Sequence, residues 1–190
     1  AEQPAQRPTG RQFVMLTLPP SLLALPVAIP LACAALGVVL QLLHSPRAIQ
    51  AQKLLAGLGL SANLLVALAV LAYTLAGNRL VLQVGLWPAP FGITVYADAL
   101  TGILLTTGGL LALLVFPYAL ASLDGRRERL GFYPMSLLLL MGVNGAFITG
   151  DLFNLYVFYE VMLMSSFVLL ALGGAPSQVN AAIRYVVLNL

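Results

Sequence analysis

One segment of the chain constrains the fold more than any other, because it is long, apolar and nearly free of charge. It covers residues 152–172 and reads LFNLYVFYEVMLMSSFVLLAL. A helix of this length crosses the hydrocarbon core of a bilayer. Its single charged residue is Glu160, which lies roughly 12 Å from the start of the segment at about 1.5 Å per residue. The sequence therefore predicts a carboxylate near the middle of a membrane.

The composition of the whole chain supports a membrane protein. Of its 190 residues, 61% are hydrophobic and 8% are charged, whereas a soluble domain carries about 25% charged residues. The net charge of +3 does not indicate nucleic-acid binding, since the basic residues are scattered among short loops, as topology signals are. We predict an integral membrane protein in contact with the lipid bilayer.

The apolar runs predict an all-α protein with five transmembrane helices and the start of a sixth. The predicted spans are residues 22–43, 54–76, 99–123, 132–149 and 152–172, and the sixth begins at residue 181. Polar links are expected at residues 44–53, 124–129 and 173–180. Residues 1–14 are polar and are expected to form a disordered tail. Residues 15–190 form the transmembrane domain, and because the sixth span is cut at Leu190 we expect a fragment of a longer protein.

A segment of a different kind joins the second and third spans. Residues 78–98 read NRLVLQVGLWPAPFGITVYAD, with partial alternation of apolar residues on both sides of Trp87-Pro88-Ala89-Pro90. This pattern predicts two short extended pieces around a rigid turn.

The basic residues of the short links predict the orientation of the chain. Arg47 and Lys53 lie in the first link, and three arginines lie in the DGRRER link after the third span. Links rich in lysine and arginine face the cytoplasm. The N-terminus and the Trp87 loop are therefore expected outside.

Glu160 is the first candidate for a functional residue. Burial could neutralise it and leave it to bind a neighbouring helix, or a buried carboxyl could gain and lose protons near neutral pH. We favour the second interpretation, because acids buried in membranes are rarely structural. Tyr156, one turn earlier, could donate a hydrogen bond to Glu160. Arg184, in the antiparallel sixth span, is a candidate charge partner, although it could equally extend to the interface.

Other polar residues have simpler interpretations. Asp98 and Asp151 begin the third and fifth spans, where an acid caps the helix N-terminus, and a proton-handling role is the less favoured alternative. Asn144, between Gly142 and Gly145, is expected to hydrogen-bond between closely packed helices. Since the sequence has no phosphate loop, nucleophile–base set or metal-ligand cluster, we expect no metal site, no cofactor and no enzymatic activity.

Several strings resemble a known family. GLWPAPFGITVYADALTGILL, MGVNGAFITGDLFNLYVFYEV and AAIRYVVLNL resemble the D subunit of Mrp-type multisubunit cation/proton antiporters, which is related to the antiporter-like membrane subunits of NADH-quinone oxidoreductase. The resemblance covers roughly residues 20–190. It implies that Glu160 is a key proton-handling residue, and that Arg184 replaces a lysine usual in the sixth helix. Because arginine is effectively never deprotonated, Arg184 could tune Glu160 but could hardly relay a proton.

The resemblance implies a transporter subunit of a bacterial cytoplasmic membrane that exchanges Na⁺ or K⁺ for protons together with other membrane subunits. Two alternatives stay open. One is a proton-pumping subunit of NADH-quinone oxidoreductase or a membrane-bound hydrogenase, and the other is a membrane scaffold without transport. The strings WPAPFGI and TGDLFNL favour the antiporter.

Overall fold

The computed structural model describes residues 18–43, 45–85 and 92–189, and their fold is mostly helical, as predicted. A 3-10 turn, Pro20–Ala24, leads directly into helix α1, Leu25–Gln41. The other helices are α2 (Pro46–Leu75), α3 (Ala99–Ser122), α4 (Gly125–Arg129), α5 (Phe132–Ile148), α6 (Leu152–Ala171) and α7 (Pro176–Asn189).

Among the described residues, four helical stretches are long and apolar enough to cross a membrane. They are Pro20–Gln41, Pro46–Leu75, Ala99–Ser122 and Leu152–Ala171. Helix α5 is also apolar but has only 17 residues. The chain is therefore a multi-pass membrane protein.

Three of the predicted polar links are partly or wholly helical, which corrects the sequence interpretation. Helix α2 begins at Pro46, within the predicted first link, because Ser45 caps it by accepting a hydrogen bond from the backbone N–H of Arg47 at 3.3 Å and proline suits the first helical position. Helix α7 also begins at a proline, Pro176. Residues 125–129 form α4 because the Asp124 carboxylate accepts a hydrogen bond from the Arg127 N–H at 2.8 Å.

A β-hairpin covers the end of the bundle where α2 ends and α3 begins. Strands β1 (Leu80–Val84) and β2 (Ile93–Ala97) pair antiparallel, with Leu80 opposite Ala97, which confirms the two predicted extended pieces. The backbone N–H of Gly150 donates to the Thr94 carbonyl at 2.8 Å, and this bond fixes the α5–α6 joint to the hairpin. The predicted Trp87–Pro90 turn and the polar tail lie outside the described residues.

Two hydrophobic clusters form the core, one toward each end of the bundle. The cluster under the hairpin includes Ala67 and Val70 of α2 and Ile148 of α5. The other cluster contains, from the same two helices, Ala56, Leu60, Tyr133, Leu137 and Leu140. Between the clusters lie two fully buried asparagines, Asn63 near the middle of α2 and Asn144 in the last third of α5.

Candidate functional site

The buried asparagines tie three helices together in the middle of the bundle. The Asn144 side-chain amide of α5 donates to the Pro26 carbonyl of α1 at 2.8 Å and to Asn63 Oδ1 of α2 at 3.2 Å. In an α-helix the Pro26 carbonyl would accept from the N–H of residue 30, but Pro30 has no N–H to donate. Asn144 therefore satisfies the carbonyl that the proline leaves unpaired, which confirms the predicted interhelical hydrogen bonding.

Two atoms of this asparagine pair have no hydrogen-bond partner among the described residues. Asn63 Nδ2 and Asn144 Oδ1 are buried without a hydrogen bond, one a donor and the other an acceptor. A donor and an acceptor buried in this way are the kind of groups that ordered water satisfies in protein interiors.

Helices α5 and α6 approach closely at the two predicted glycines. A Cβ atom at Gly142 would lie 2.9 Å from the Met162 backbone nitrogen and 3.0 Å from the Phe158 carbonyl oxygen. At Gly145 it would collide with the Phe158 ring. Since Phe158 and Met162 flank Glu160 in the sequence, the glycines set the position of the part of α6 that carries the carboxylate.

Glu160 lies half-buried beside an open groove between α5 and α6. The groove has a volume of about 260 Å³, and its lining includes Met135 and Leu138 of α5 together with Met164 and Ser165 of α6. Within residues 18–43, 45–85 and 92–189, the Glu160 side chain forms no hydrogen bond and no ion pair. An unpaired carboxylate in an apolar groove is accessible to a proton donor or a cation that enters the groove.

In the described part of the chain, neither predicted partner of Glu160 forms a hydrogen bond or an ion pair with it. The Tyr156 side chain is 64% exposed, and the described part of the chain shows no hydrogen bond from its hydroxyl to Glu160. Arg184 is exposed on α7 and does not pair with Glu160. The roles predicted for Tyr156 and Arg184 therefore stay predictions.

The other two candidate acids act as helix caps. The Asp98 carboxylate accepts hydrogen bonds from the Thr101 backbone N–H at 3.0 Å and from its hydroxyl at 3.2 Å. The backbone bond is the main reason that the pKa of Asp98 is lowered. Asp151 caps α6 in the same way, accepting from the Asn154 N–H at 2.7 Å. Capping, the favoured prediction for both residues, is confirmed.

The sequence interpretation missed a charged cluster at the end of the bundle opposite the hairpin. The Lys53 ammonium of α2 lies 2.6 Å from Glu128 Oε1 of α4. The Tyr133 hydroxyl of α5 donates to the same oxygen at 2.7 Å. This cluster joins α2, α4 and α5, and Glu128 is buried.

The surroundings of Glu128 keep its carboxylate ionised. Burial by itself raises the pKa of a carboxyl, but the hydrogen bonds from Lys53 and Tyr133 and the Lys53 charge outweigh burial, so the pKa of Glu128 is lowered. A cavity of about 380 Å³ adjoins it, with Gln41, Gln52 and Arg129 in its lining. The Gln52 side-chain oxygen is buried without a partner, which suits a hydrated cavity.

The signal for this cluster in the sequence was weak. Lys53 and Glu128 are far apart in the chain, and each lies in a segment expected to be a polar link. Only the extension of α2 back to Pro46 and the folding of α4 bring the two charges together.

These features define a class: a multi-pass helical membrane protein with one unpaired carboxylate in an apolar membrane helix. No protein-family profile matches the chain. It is, however, 35% identical over 170 residues to the D subunit of the Na⁺/H⁺ antiporter of Alkalihalophilus pseudofirmus, a match that covers 90% of this chain and 34% of that protein. It is 43% identical over 109 residues to the D subunit of the Na⁺/H⁺ antiporter of Bacillus subtilis, covering 57% of this chain and 22% of that protein.

Solved structures share the fold. A chain of the Mrp complex from a Dietzia species superposes with a TM-score of 0.77 at 32% identity, over 92% of this chain and 32% of that one. A chain of the archaeal membrane-bound sulfane sulfur reductase has a TM-score of 0.80 at 24% identity, over 88% of this chain and 34% of that one.

The resemblance to the D subunit of Mrp-type cation/proton antiporters is confirmed by these comparisons. The chain spans about a third of the length of the curated relatives it matches over most of its own length.

Proposed function

We propose that the chain is part of a subunit of a multisubunit Na⁺ (or K⁺)/H⁺ antiporter in which Glu160 carries the proton. The observation that supports this most is the unpaired Glu160 carboxylate beside a groove in an apolar membrane helix. A carboxylate at that depth is costly and is therefore functional by default. The similarity to the D subunit of Na⁺/H⁺ antiporters supports cation/proton exchange as the class of transport.

The chemistry proposed for Glu160 is reversible protonation coupled to a moving positive charge. A proton that reaches the groove neutralises the carboxylate and removes the cost of burying its charge. A cation that then approaches favours the ionised form, so the proton leaves toward the side to which the site is open. Arg184 stays permanently charged, and in this scheme it adjusts the local potential without relaying protons.

The proposed topology has five spans. Helix α5, at about 1.5 Å per residue, is about 26 Å long, close to the 30 Å of the hydrocarbon core. The end of the bundle that carries Lys53 and the α4 arginines faces the cytoplasm, as expected for basic links. The β-hairpin and the N-terminus are then outside the bacterial cytoplasmic membrane.

The proposed partners are other membrane subunits of the antiporter complex, and the subunit itself is a transporter component without a cofactor. The fold alone does not separate an antiporter from a redox-driven pump, because a respiratory membrane complex shares it.

The test is made on the native complex, purified in mild detergent from cells that carry the tagged full-length gene. A colourless complex that, in proteoliposomes, dissipates a pH gradient when Na⁺ or K⁺ is added supports the antiporter. Flavin or iron–sulfur absorbance with no cation-dependent dissipation contradicts it and indicates a pump driven by electron transfer. A complex that shows neither chromophore absorbance nor cation-dependent dissipation of the pH gradient also contradicts the proposal, and it indicates a membrane scaffold.

A further inference from the structure

An apolar groove runs along α3 and α5 on a face of the bundle that the Glu160 groove does not share. Its volume is about 410 Å³. Along α5 its lining extends from Phe132 to Val143, and along the antiparallel α3 from Ala119 back to Gly108. Leu111 and Val115, which line its wall, are more than half exposed. The groove is therefore an open, strongly apolar surface at membrane depth.

The groove has the depth of one leaflet. Phe132 to Val143 covers about 16 Å at about 1.5 Å per residue, and half of a 30 Å hydrocarbon core is about 15 Å. The Phe147 ring lies beside Gly108, where the lining ends; a Cβ at Gly108 would be 3.7 Å from it. A membrane-spanning helix contacts its neighbour through both leaflets, whereas an acyl chain ends at mid-membrane. The length of the groove therefore favours an acyl chain.

Basic residues lie in the segment that follows the end of the groove. Helix α4 joins α3 to α5 there and carries Arg126, Arg127 and Arg129. The Arg126 guanidinium packs against the α6–α7 turn, close enough that a Cβ at Gly174 would lie 3.3 Å from Nη2. In the part of the chain that the structure describes, the Glu128 carboxylate pairs with Lys53, and none of the three arginines has an ion-pair partner. Guanidinium groups bind phosphate oxygens strongly.

We propose that this surface binds an anionic phospholipid, with one acyl chain in the groove between α3 and α5 and the phosphate at Arg126 and Arg127. An apolar groove that ends beside basic side chains is complementary to an anionic phospholipid of the cytoplasmic leaflet, whose acyl chains lie below a negatively charged phosphate. Glu160 does not line this groove, and the proposed lipid marks a lipid-facing boundary of the bundle between α3 and α5.

The test measures lipid binding to the full-length protein, purified with its partner subunits and stripped of lipid in detergent. Phosphatidylglycerol and phosphatidylethanolamine with matched acyl chains are titrated, and bound lipid is counted by native mass spectrometry. We expect tighter binding of phosphatidylglycerol. Since one basic residue near a membrane surface contributes about fivefold to the affinity for anionic lipid, we expect the double variant R126Q/R127Q to lose about 25-fold for phosphatidylglycerol and little for phosphatidylethanolamine.

Matched control variants distinguish binding at this site from nonspecific electrostatic attraction between anionic lipid and basic residues elsewhere. Arg79→Gln removes an exposed charge at the hairpin end and should leave the affinity for phosphatidylglycerol unchanged. Ala112→Phe fills the groove and should weaken both lipids, whereas Ala35→Phe, on the exposed face of α1, should weaken neither. Equal losses in R79Q and R126Q/R127Q, or no preference for phosphatidylglycerol, would overturn the proposal.

A second measurement tests the proposal even if the arginine variant or the groove-filling variant does not fold. A photo-crosslinker placed on Ala112→Cys, in a chain with Cys33→Ser, should label phospholipid in native membranes. A crosslink to protein instead would mean that a helix occupies the groove, and the proposal would fall.

Discussion

Asn144 of α5 donates a 2.8 Å hydrogen bond to the Pro26 carbonyl of α1, the one carbonyl that Pro30 deprives of its helical partner. A proline inside a membrane helix leaves a polar group that lipid cannot satisfy, so neighbouring helices must do so. The same amide reaches Asn63, and α1, α2 and α5 are therefore held at one depth. The bundle that positions α6 depends on this cluster.

Replacing Asn144 with leucine should lower stability. The Pro26 carbonyl and Asn63 Oδ1 would lose their donor while still buried, and a buried polar group left unpaired costs about 1–3 kcal/mol. The apparent melting temperature of the detergent-solubilised protein, measured by intrinsic fluorescence, should fall. The double-mutant cycle with Pro30→Ala identifies the cause, because alanine supplies the N–H that bonds Pro26 within α1. A loss of stability that is equal with and without the Pro30→Ala substitution would contradict the account.

Gly142→Ala should destabilise the α5–α6 contact far more than Gly108→Ala. At Gly142 the new Cβ would lie 2.9 Å from the Met162 backbone nitrogen, which no side-chain rotation can move away. At Gly108 its nearest neighbour would be 3.7 Å away. Overpacking of this kind costs about 1–3 kcal/mol. Both variants change the same residue type on apolar helices, so the difference between their melting temperatures isolates the close approach. Equal melting temperatures would show that α6 does not pack as described.

The Lys53–Glu128–Tyr133 cluster should make stability depend on pH. Because the pKa of Glu128 is lowered in the folded protein, its contribution is complete above the ordinary glutamate pKa of about 4.3 and is lost as pH falls below that value. Glu128→Gln should cost about 1–2 kcal/mol at pH 7, and the difference from the wild type should shrink in more acidic buffer.

Thermal unfolding between pH 3.5 and 7 checks this prediction, with Asp151→Asn as the control, since Asp151 caps a different helix and asparagine also caps helices. A difference between Glu128→Gln and the wild type that stays constant across this range would show that the ion pair does not stabilise the fold.

The sequence predicted best what depends on local pattern. The apolar runs placed α1, α3, α5 and α6 nearly where they occur, and acids before α3 and α6 predicted their caps. The starts of α2 and α7 were missed because their first turns are polar, so only capping and proline signals mark them. The Lys53–Glu128 pair was missed because it depends on which distant segments meet. The pairing of Asn144 with Pro26 follows from packing three helices, which no local pattern specifies.

The claim that Glu160 carries the proton is tested most directly by measuring cation-driven proton exchange in the Glu160→Gln variant. The full-length gene, with its partner subunits, is expressed in a strain lacking other cation/proton antiporters. Dissipation of a pH gradient by added Na⁺ or K⁺ is then followed in everted vesicles, and complex assembly is checked by blotting. We predict that Glu160→Gln assembles normally but abolishes cation-dependent proton exchange, because a glutamine amide cannot take up and release a proton as a carboxylate does. Asp124→Asn should retain the wild-type rate, and wild-type exchange by assembled Glu160→Gln would contradict the account.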